Sequence, residues 1–265
     1  MKYDLDEIFT QLNNKIVKIT TEQKIKQCDN VTQALTNAKL EVNQWMQIDD
    51  VVVVFSDLKN STGISFDKQD RTMTKLLEYL NKPFLKIHKE FGAEFSEIKG
   101  DGGIAIYSKE NSINALLASI SIKTFYFKYI NEKVKKTYGV DFEVATGIAK
   151  GNLRLKQIGM RGLNFPVWAG ETINLSALIS KELKHKSKPN NYIGITSKIY
   201  DEIKLKKLDE YLHLSCGCGS DGARENLWKK ETIPNKGGKR YYYMNNNWCD
   251  IHGQGYLDKI FEVLK

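Results

Sequence analysis

With 265 residues, 41% of them apolar and 27% charged, the chain has an ordinary globular composition and is long enough to bury the core of one large domain, or of a domain with an appendage. Its longest apolar runs, such as VVVVF at 51–55, fall far short of the ~20 residues that cross a bilayer, and the opening MKYDLDEIFTQLNN has no signal-peptide core, so a cytoplasmic protein is expected. The net charge of +8 comes from scattered lysines, with no long basic block and no RNA-binding aromatic signature; a lysine-rich solvated surface and a site for a polyanionic small molecule each account for it, and nucleic acid is not the expected partner.

Residues 3–40 carry helical spacing and few breakers, which predicts one or two amphipathic helices ahead of the core. The β-branched run at 50–56 predicts a central strand. Helical spacing returns from Phe66 to Phe91, with Pro83 expected to kink or split it. AEFSEIKGDGGIAIYS (93–108) reads as strand, glycine-rich turn, strand. A helix is expected over 110–136, then two strands around a Lys150-Gly151-Asn152 turn, a strand near 164–168 and a helix from about 171 to 184. A short strand and short helix follow at NYIGITSKIYDEI, and the tail from 206 reads as strand-like, with the aromatic strand RYYYM at 240–244. That order suits an α+β, ferredoxin-like (palm-type) fold, a mostly antiparallel sheet with helices packed on it. The expected divisions are a helical segment at 1–45, a core at 46–205 and C-terminal strands with a tail at 206–265.

Asp57 ends the first core strand and Asp101 sits in the turn of the hairpin. A ferredoxin-like sheet places that strand beside that hairpin, so the two carboxylates converge. Paired strand-end carboxylates are what two-metal phosphoryl chemistry needs, because hard cations take oxygen ligands and clamp the attacking and leaving oxygens.

The motifs around them resemble the class III nucleotide cyclases. VVVVFSDLKNST is similar to that family's Phe-x-Asp opening, EIKGDGGIAIY to its second metal motif, ATGIAKGNLRLKQIG to its Gly-Ile-x-x-Gly strands, and VWAGETINLSALIS to its asparagine-bearing helix. The motifs fall in the family's order and cover about 50 to 200. The resemblance implies a nucleotide cyclase fold and a homodimer with composite sites. Asp57, Asp101 and the Leu58 carbonyl would hold two Mg²⁺ or Mn²⁺ ions. Phe55 would lie against the substrate, and the amides from Leu58 to Thr62, with Ser61 and Thr62, would cradle the phosphates. Asn174 of the second subunit would orient the ribose.

Two positions depart from the family pattern. An arginine is usual four residues after the asparagine, and here the residue is Leu178. One missing donor of this kind costs roughly 10²–10³ in rate by analogy with oxyanion holes; Lys181, one turn on, and Arg161, in the loop before the helix, are the candidate replacements, and packing beside Leu175 and Ile179 is the alternative role for Leu178. In base recognition, the adenylate cyclases' lysine and aspartate are here Glu97 and Val167. An ionised glutamate only accepts hydrogen bonds, so it faces adenine N1 lone pair to lone pair, whereas guanine N1–H, uracil N3–H and the cytosine amino group are donors.

Glu97 alone also resembles the guanylate cyclases. VWAGETIN, with Val167 and Trp168, looks more like the bacterial pyrimidine (uridylate or cytidylate) cyclases of the Pycsar anti-phage system. That resemblance implies cUMP or cCMP synthesis, UTP favoured, with the product read by a separate effector in antiviral defence. The alternatives are a guanylate cyclase and an inactive nucleotide-binding regulatory module, which the missing arginine would suit.

Of the four cysteines, Cys28 reads as a buried apolar residue, whereas Cys216, Cys218 and Cys249 fall in the last quarter with His252 nearby. Three thiolates and an imidazole suit tetrahedral Zn²⁺; three unconnected thiols in a reduced cytoplasm are the alternative, and a disulfide is not expected there. Between these pairs, LWKKETIPNKGGKRYYY resembles the hairpin that carries the family's phosphate-binding lysine, here Lys230 or its neighbour Lys229.

Overall fold

Four consecutive valines, Val51–Val54, are each at most 2% exposed, so both faces of their strand are covered and each side chain contributes ~1.5–3 kcal/mol of burial. In the computed structural model, which describes residues 4–19, 23–39, 44–59, 70–139, 143–160, 163–185, 192–218, 222–234, 237–244, 248–249 and 251–265, this strand lies at the centre of the sheet.

The chain begins with α1 (Leu5–Ile19), β1 (Lys24–Cys28) and α2 (Val31–Asn37), then enters the central strand β2 (Gln44–Leu58). Next come α3 (Asp70–Glu90), the hairpin β3 (Phe95–Lys99) and β4 (Gly102–Tyr107), and α4 (Ser112–Phe125), which continues through a π-helical turn at Tyr126–Asn131 into α5 (Glu132–Tyr138). The second half holds β5 (Val144–Met160), β6 (Leu163–Ala169), α6 (Glu171–Lys184), β7 (Ile193–Thr196), α7 (Ser197–Leu205) and α8 (Asp209–Leu212). It closes with β8 (Trp228–Thr232), β9 (Arg240–Met244) and α9 (Gly253–Leu264).

The sheet order is β3-β4-β2-β5-β7-β9-β8, with β1 added parallel to β2 and β6 paired to β5. Within it, β3-β4-β2-β5 is the antiparallel four-stranded order of a ferredoxin-like βαββαβ unit. Period-two alternation divides β2 between the two faces. Val52, Val54 and Leu58 share a core with α3 and α4, while Val51, Val53 and Phe55 join a second cluster with Met46, Ile104, Ile106 and α2. A third cluster packs α6, through Ile179 and Leu183, on Ala145, Tyr241 and Tyr243.

Several elements differ from the sequence expectation. Lys24–Cys28 is a strand within the segment read as helical, stabilised by parallel pairing to Gln44–Ile48. β2 starts well before residue 50 because a bulge between Ile48 and Val51, with Asp50 at φ 57°, lets one strand continue through two aspartates. There is no turn at Lys150-Gly151-Asn152: β5 runs straight through, pairing Gly151 with Val51. Gly151 serves a close approach instead, since a Cβ there would sit 2.7 Å from Thr172 Oγ1 on α6. α3 runs unbroken past Pro83, and the Tyr126 hydroxyl donates to the Leu80 carbonyl in the preceding turn at 2.5 Å. The tail ends in a helix, α9, rather than in strands.

Candidate active site

The β2–β4 register brings the two predicted metal ligands together. Asp57 pairs with Gly102, the neighbour of Asp101, and the Leu58 amide donates to the Asp101 carbonyl at 3.3 Å. Gly102 permits this approach, because a Cβ there would lie 2.5 Å from the Ser56 carbonyl oxygen and 3.3 Å from Asp57 Oδ1. Asp57 and Asp101, both half-buried, line one small cleft with Ser56, Phe84 and Gly103. Two carboxylates at the end of a rigid strand pair offer only oxygen donors, which fits a hard divalent cation. The Leu58 side chain is buried in the first core. Ser61, Thr62 and Arg161 lie outside the described residues.

Asp57 already has a cation beside it. Lys184, in the last turn of α6, forms an ion pair with its carboxylate, the two side chains being 22% and 27% exposed. Spacing alone does not single out this lysine, because its partner Asp57 is 127 positions away in the chain.

Asn174 lies elsewhere. Along α6, Thr172 Oγ1 donates to the Asn152 carbonyl and Ser180 Oγ donates to the Ala145 carbonyl, each at 2.8 Å. Since Ala145 pairs with Asp57 and Gly151 with Val51, the helix starts over the far end of β2. Asn174 is exposed and ten residues before Lys184, about 15 Å away along a helix. It therefore cannot reach the Asp57 cleft of its own chain. An open cleft of about 640 Å³ lies at that far end, lined by Lys150, Asn152, Arg154, Glu171 and Thr172 among others.

Leu178, partly buried, packs with Leu175 against the third cluster, so at this position the chain places an apolar packing residue. Lys181 is exposed on the next turn. Lys239, in the turn that joins β8 to β9, pairs with Glu171 at the start of α6. Lys230, singled out from sequence, lies 6.0 Å from the Tyr242 ring centroid. Tyr242 stacks on Tyr200 of α7, and strand alternation puts Lys230 on the face opposite Tyr241 and Tyr243, which pack against α6. Among the described residues Lys239 is the hairpin lysine paired to α6, while Lys229, paired with Tyr243, lies on the α6-facing side of β8.

The base-reading candidates frame the second cluster. Phe95 and Glu97 share one face of β3, and the Phe95 ring lies 5.0 Å from that of Trp168, with Phe55 in the same cluster. Glu97 Oε1 accepts from Lys99 at 2.7 Å, while its Oε2 is covered and has no hydrogen-bond partner. Trp168 Nε1 is likewise covered and unpartnered. Val167 pairs with Lys156 and lies on the other face of the β5–β6 ribbon from Trp168, 37% exposed. Within a single chain Val167 and Trp168 therefore point to opposite faces, as adjacent strand residues do.

The arrangement has relatives. Residues 43–204 match the family described as the adenylate and guanylate cyclase catalytic domain. The chain is 26% identical over 240 residues to a uridylate cyclase of Micromonospora echinofusca, covering 87% of this chain and 75% of that protein. It is 26% identical over 263 residues to a uridylate cyclase of Propioniciclava tarda, covering 96% and 80% respectively. In fold, it is similar to the adenylyl cyclase CyaB of P. aeruginosa, with a TM-score of 0.60 at 15% identity, covering 78% of this chain and 98% of that one. It is also similar to the guanylate cyclase domain of RhGC from Catenaria anguillulae, with a TM-score of 0.55 at 18% identity, covering 76% and 98%. With more than half of its length matched, the chain belongs to the adenylate and guanylate cyclase catalytic domain family, the class III nucleotide cyclases.

Proposed function

We propose that this cyclase converts a pyrimidine nucleoside triphosphate, UTP ahead of CTP, to its 3′,5′-cyclic monophosphate and pyrophosphate. The observation that carries the reading is the state of Glu97. Its Oε1 is occupied by Lys99, which leaves Oε2 as one covered, unpartnered acceptor. A covered acceptor without a donor is costly, by ~1–3 kcal/mol, and a base N–H removes that cost. Uracil offers one such donor, N3–H, flanked by carbonyls that accept; Trp168 Nε1, covered and unpartnered in the neighbouring cluster, is a donor for one of them. Guanine presents two adjacent donors, N1–H and its amino group, and calls for both carboxylate oxygens. Adenine N1 is an acceptor and opposes the carboxylate. The relatives named uridylate cyclase support the same choice.

In this reading Asp57, Asp101 and the Leu58 carbonyl would hold two Mg²⁺ or Mn²⁺ ions. When bound, they lower the pKa of the 3′-hydroxyl and neutralise charge on the phosphates. The chain positions the reactants: the 3′-oxygen forms its bond to the α-phosphorus as the bond to the bridging oxygen breaks, pyrophosphate leaves and the hydroxyl proton passes to solvent. Asn174 of a second copy orients the ribose, consistent with its distance from Asp57 in its own chain, so the working unit is a homodimer. The product fits a second messenger for a separate effector in antiviral defence.

The test incubates the protein with ATP, GTP, CTP and UTP separately with Mn²⁺ and identifies products by mass spectrometry, beside Asp57→Ala. Cyclic UMP that disappears in the variant is expected. Cyclic GMP alone would make the chain a guanylate cyclase, and no product from any nucleotide would leave a nucleotide-binding module.

A further inference from the structure

Free cysteines are among the most buried residues of globular proteins, and Cys28 follows that rule. Cys216, Cys218 and Cys249 do not: two are half-exposed and one is exposed, in a chain with only one other cysteine. Burial in an apolar core does not explain their positions, yet the fold gathers them. Their Sγ atoms and a ring nitrogen of His252 all lie within 4.8 Å of one another, although Cys249 and His252 are more than 30 residues from the first pair.

The local backbone is built for this convergence. After α8, a short antiparallel bridge joins Leu214 to Asn226, with Ser215 N–H donating to the Glu225 carbonyl and Leu227 N–H to the His213 carbonyl, each at 2.8 Å. Cys216 and Cys218 sit at the end of this bridge with Gly217 between them at φ 74°. That left-handed glycine turns both thiols to one side and explains the tight Cys-x-Cys spacing. A Cβ at Gly217 would lie 2.9 Å from the Gly222 carbonyl oxygen, so no other residue fits there without a shift. The Cys218 amide points at Cys216 Sγ at 3.4 Å, an N–H donor aimed at sulfur that stabilises a thiolate. From the other side come Cys249, with its Sγ 3.1 Å from Cys218 Sγ, and His252, with Nδ1 3.4 Å from Cys249 Sγ.

We propose that Cys216, Cys218, Cys249 and His252 form a structural zinc site that fastens the C-terminal helix α9 to the loop between α8 and β8. Three sulfurs at Zn–S of about 2.3 Å and one imidazole nitrogen at about 2.0–2.1 Å make a closed tetrahedron, whose S–S edges are about 3.8 Å. The Cys216–Cys218 and Cys218–Cys249 sulfur separations of 2.9 and 3.1 Å open by less than 1 Å to reach that geometry, roughly a rotamer adjustment. All four positions are filled by protein, so the metal has no open site for substrate and plays no part in the cyclase reaction. Its role is mechanical. α9 otherwise docks mainly through its apolar face, with Tyr256 against Tyr211 and Trp248, Phe261 near Phe91, and only Ile260 fully buried. His252 caps that helix, donating no side-chain bond to it, which leaves the imidazole available as a ligand.

The test measures metal in the purified full-length protein by elemental analysis, then replaces it with Co²⁺. About one zinc per chain is expected, retained on dialysis and released when thiols are blocked. The Co²⁺ protein should show tetrahedral ligand-field bands and near-ultraviolet thiolate charge transfer. Cys218→Ser and Cys249→Ser should each lose stoichiometric metal, while Cys28→Ser keeps it. Because a variant that misfolds would also lose metal, circular dichroism accompanies each, and the wild-type cobalt spectrum stands independently of all variants. The absence of both zinc on isolation and thiolate charge transfer after reconstitution, or a disulfide among these cysteines in non-reducing mass spectrometry, would overturn the proposal.

Discussion

Lys184 and Asp57 form an ion pair within one chain, joining the last turn of α6 to the strand end that carries the proposed metal ligand. A cation held there competes with a divalent ion for the same carboxylate. Lys184→Met keeps the aliphatic stem and removes the charge. At an effective dielectric near 20, and with both groups partly solvated, the gain in metal affinity should be about 1 kcal/mol, about fivefold. Mn²⁺ titration of the nucleotide-free protein, followed by electron paramagnetic resonance, checks this; an unchanged binding curve would mean that Lys184 swings clear when metal enters.

Asn174 lies about 15 Å along α6 from the residue that touches Asp57. If each site combines Asp57 of one chain with Asn174 of the other, Asp57→Ala and Asn174→Ala proteins are each inactive alone but complement when mixed. Half of the dimers at equal mixing are mixed, each with one intact site, so about a quarter of wild-type activity should return. Activity measured after mixing, against each variant alone, decides it. No recovery, with subunit exchange shown by native mass spectrometry, would place the whole site in one chain.

Lys239 reaches Glu171 at the head of the asparagine-bearing helix, whereas Lys230 lies over Tyr242 on the opposite face. A phosphate contact from this hairpin therefore falls to Lys239 ahead of Lys230, with Lys229, beside Tyr243 on the α6-facing side, as the other candidate. Lys239→Ala should raise KM for the nucleotide about tenfold, the value of one charge-assisted hydrogen bond. Lys230→Ala should leave KM within about twofold. Steady-state kinetics on the two variants separates them, and the reverse order would return the role to Lys230.

Glu97 presents one unpartnered oxygen toward the aromatic cluster of Phe55, Phe95 and Trp168. Glu97→Ala removes an ionised acceptor, and kcat/KM for UTP should fall about 10–100-fold. The discrimination against ATP should shrink as well, because the repulsion of adenine N1 goes with the carboxylate. Competition assays with paired nucleotides read both effects. A variant that keeps its UTP preference would move base recognition away from β3.

The ferredoxin-like order was legible in the sequence because its signals were local: the valine run of β2, the Gly-Asp-Gly-Gly turn between β3 and β4, and the helix over 171–184. The failures were places where a tertiary contact decides. Gly151 has the composition of a turn, but its missing Cβ makes room for Thr172 of α6. Lys24–Cys28 has helical spacing, and a parallel strand partner makes it a strand. Asp57 with Asp101 followed from strand ends and one turn. Lys184 and Lys239 did not, because each acts through a residue more than 60 positions away, and in a lysine-rich chain spacing does not distinguish them.

His88 contributes to the pH dependence of folding, as does His213, whose pKa burial also lowers. His88 is fully buried at the end of α3, its Nδ1 2.6 Å from the Tyr107 hydroxyl, its Nε2 without a partner, and the Phe84 ring edge-on at 4.4 Å. Burial among these groups pushes its pKa down from 6.5 to about 3. The native state therefore keeps the ring neutral, while the unfolded chain takes up a proton below pH 6.5. Its contribution is complete above that value and is lost as pH falls toward 3. Between pH 7.5 and pH 5 the loss should be about 2 kcal/mol, read as a lower urea midpoint. His88→Gln keeps an acceptor for Tyr107 and does not titrate, so it should unfold more easily at pH 7.5 yet lose about 2 kcal/mol less than the wild type on moving to pH 5. If wild type and variant decline in parallel, proton uptake at His88 is not what destabilises the fold in acid.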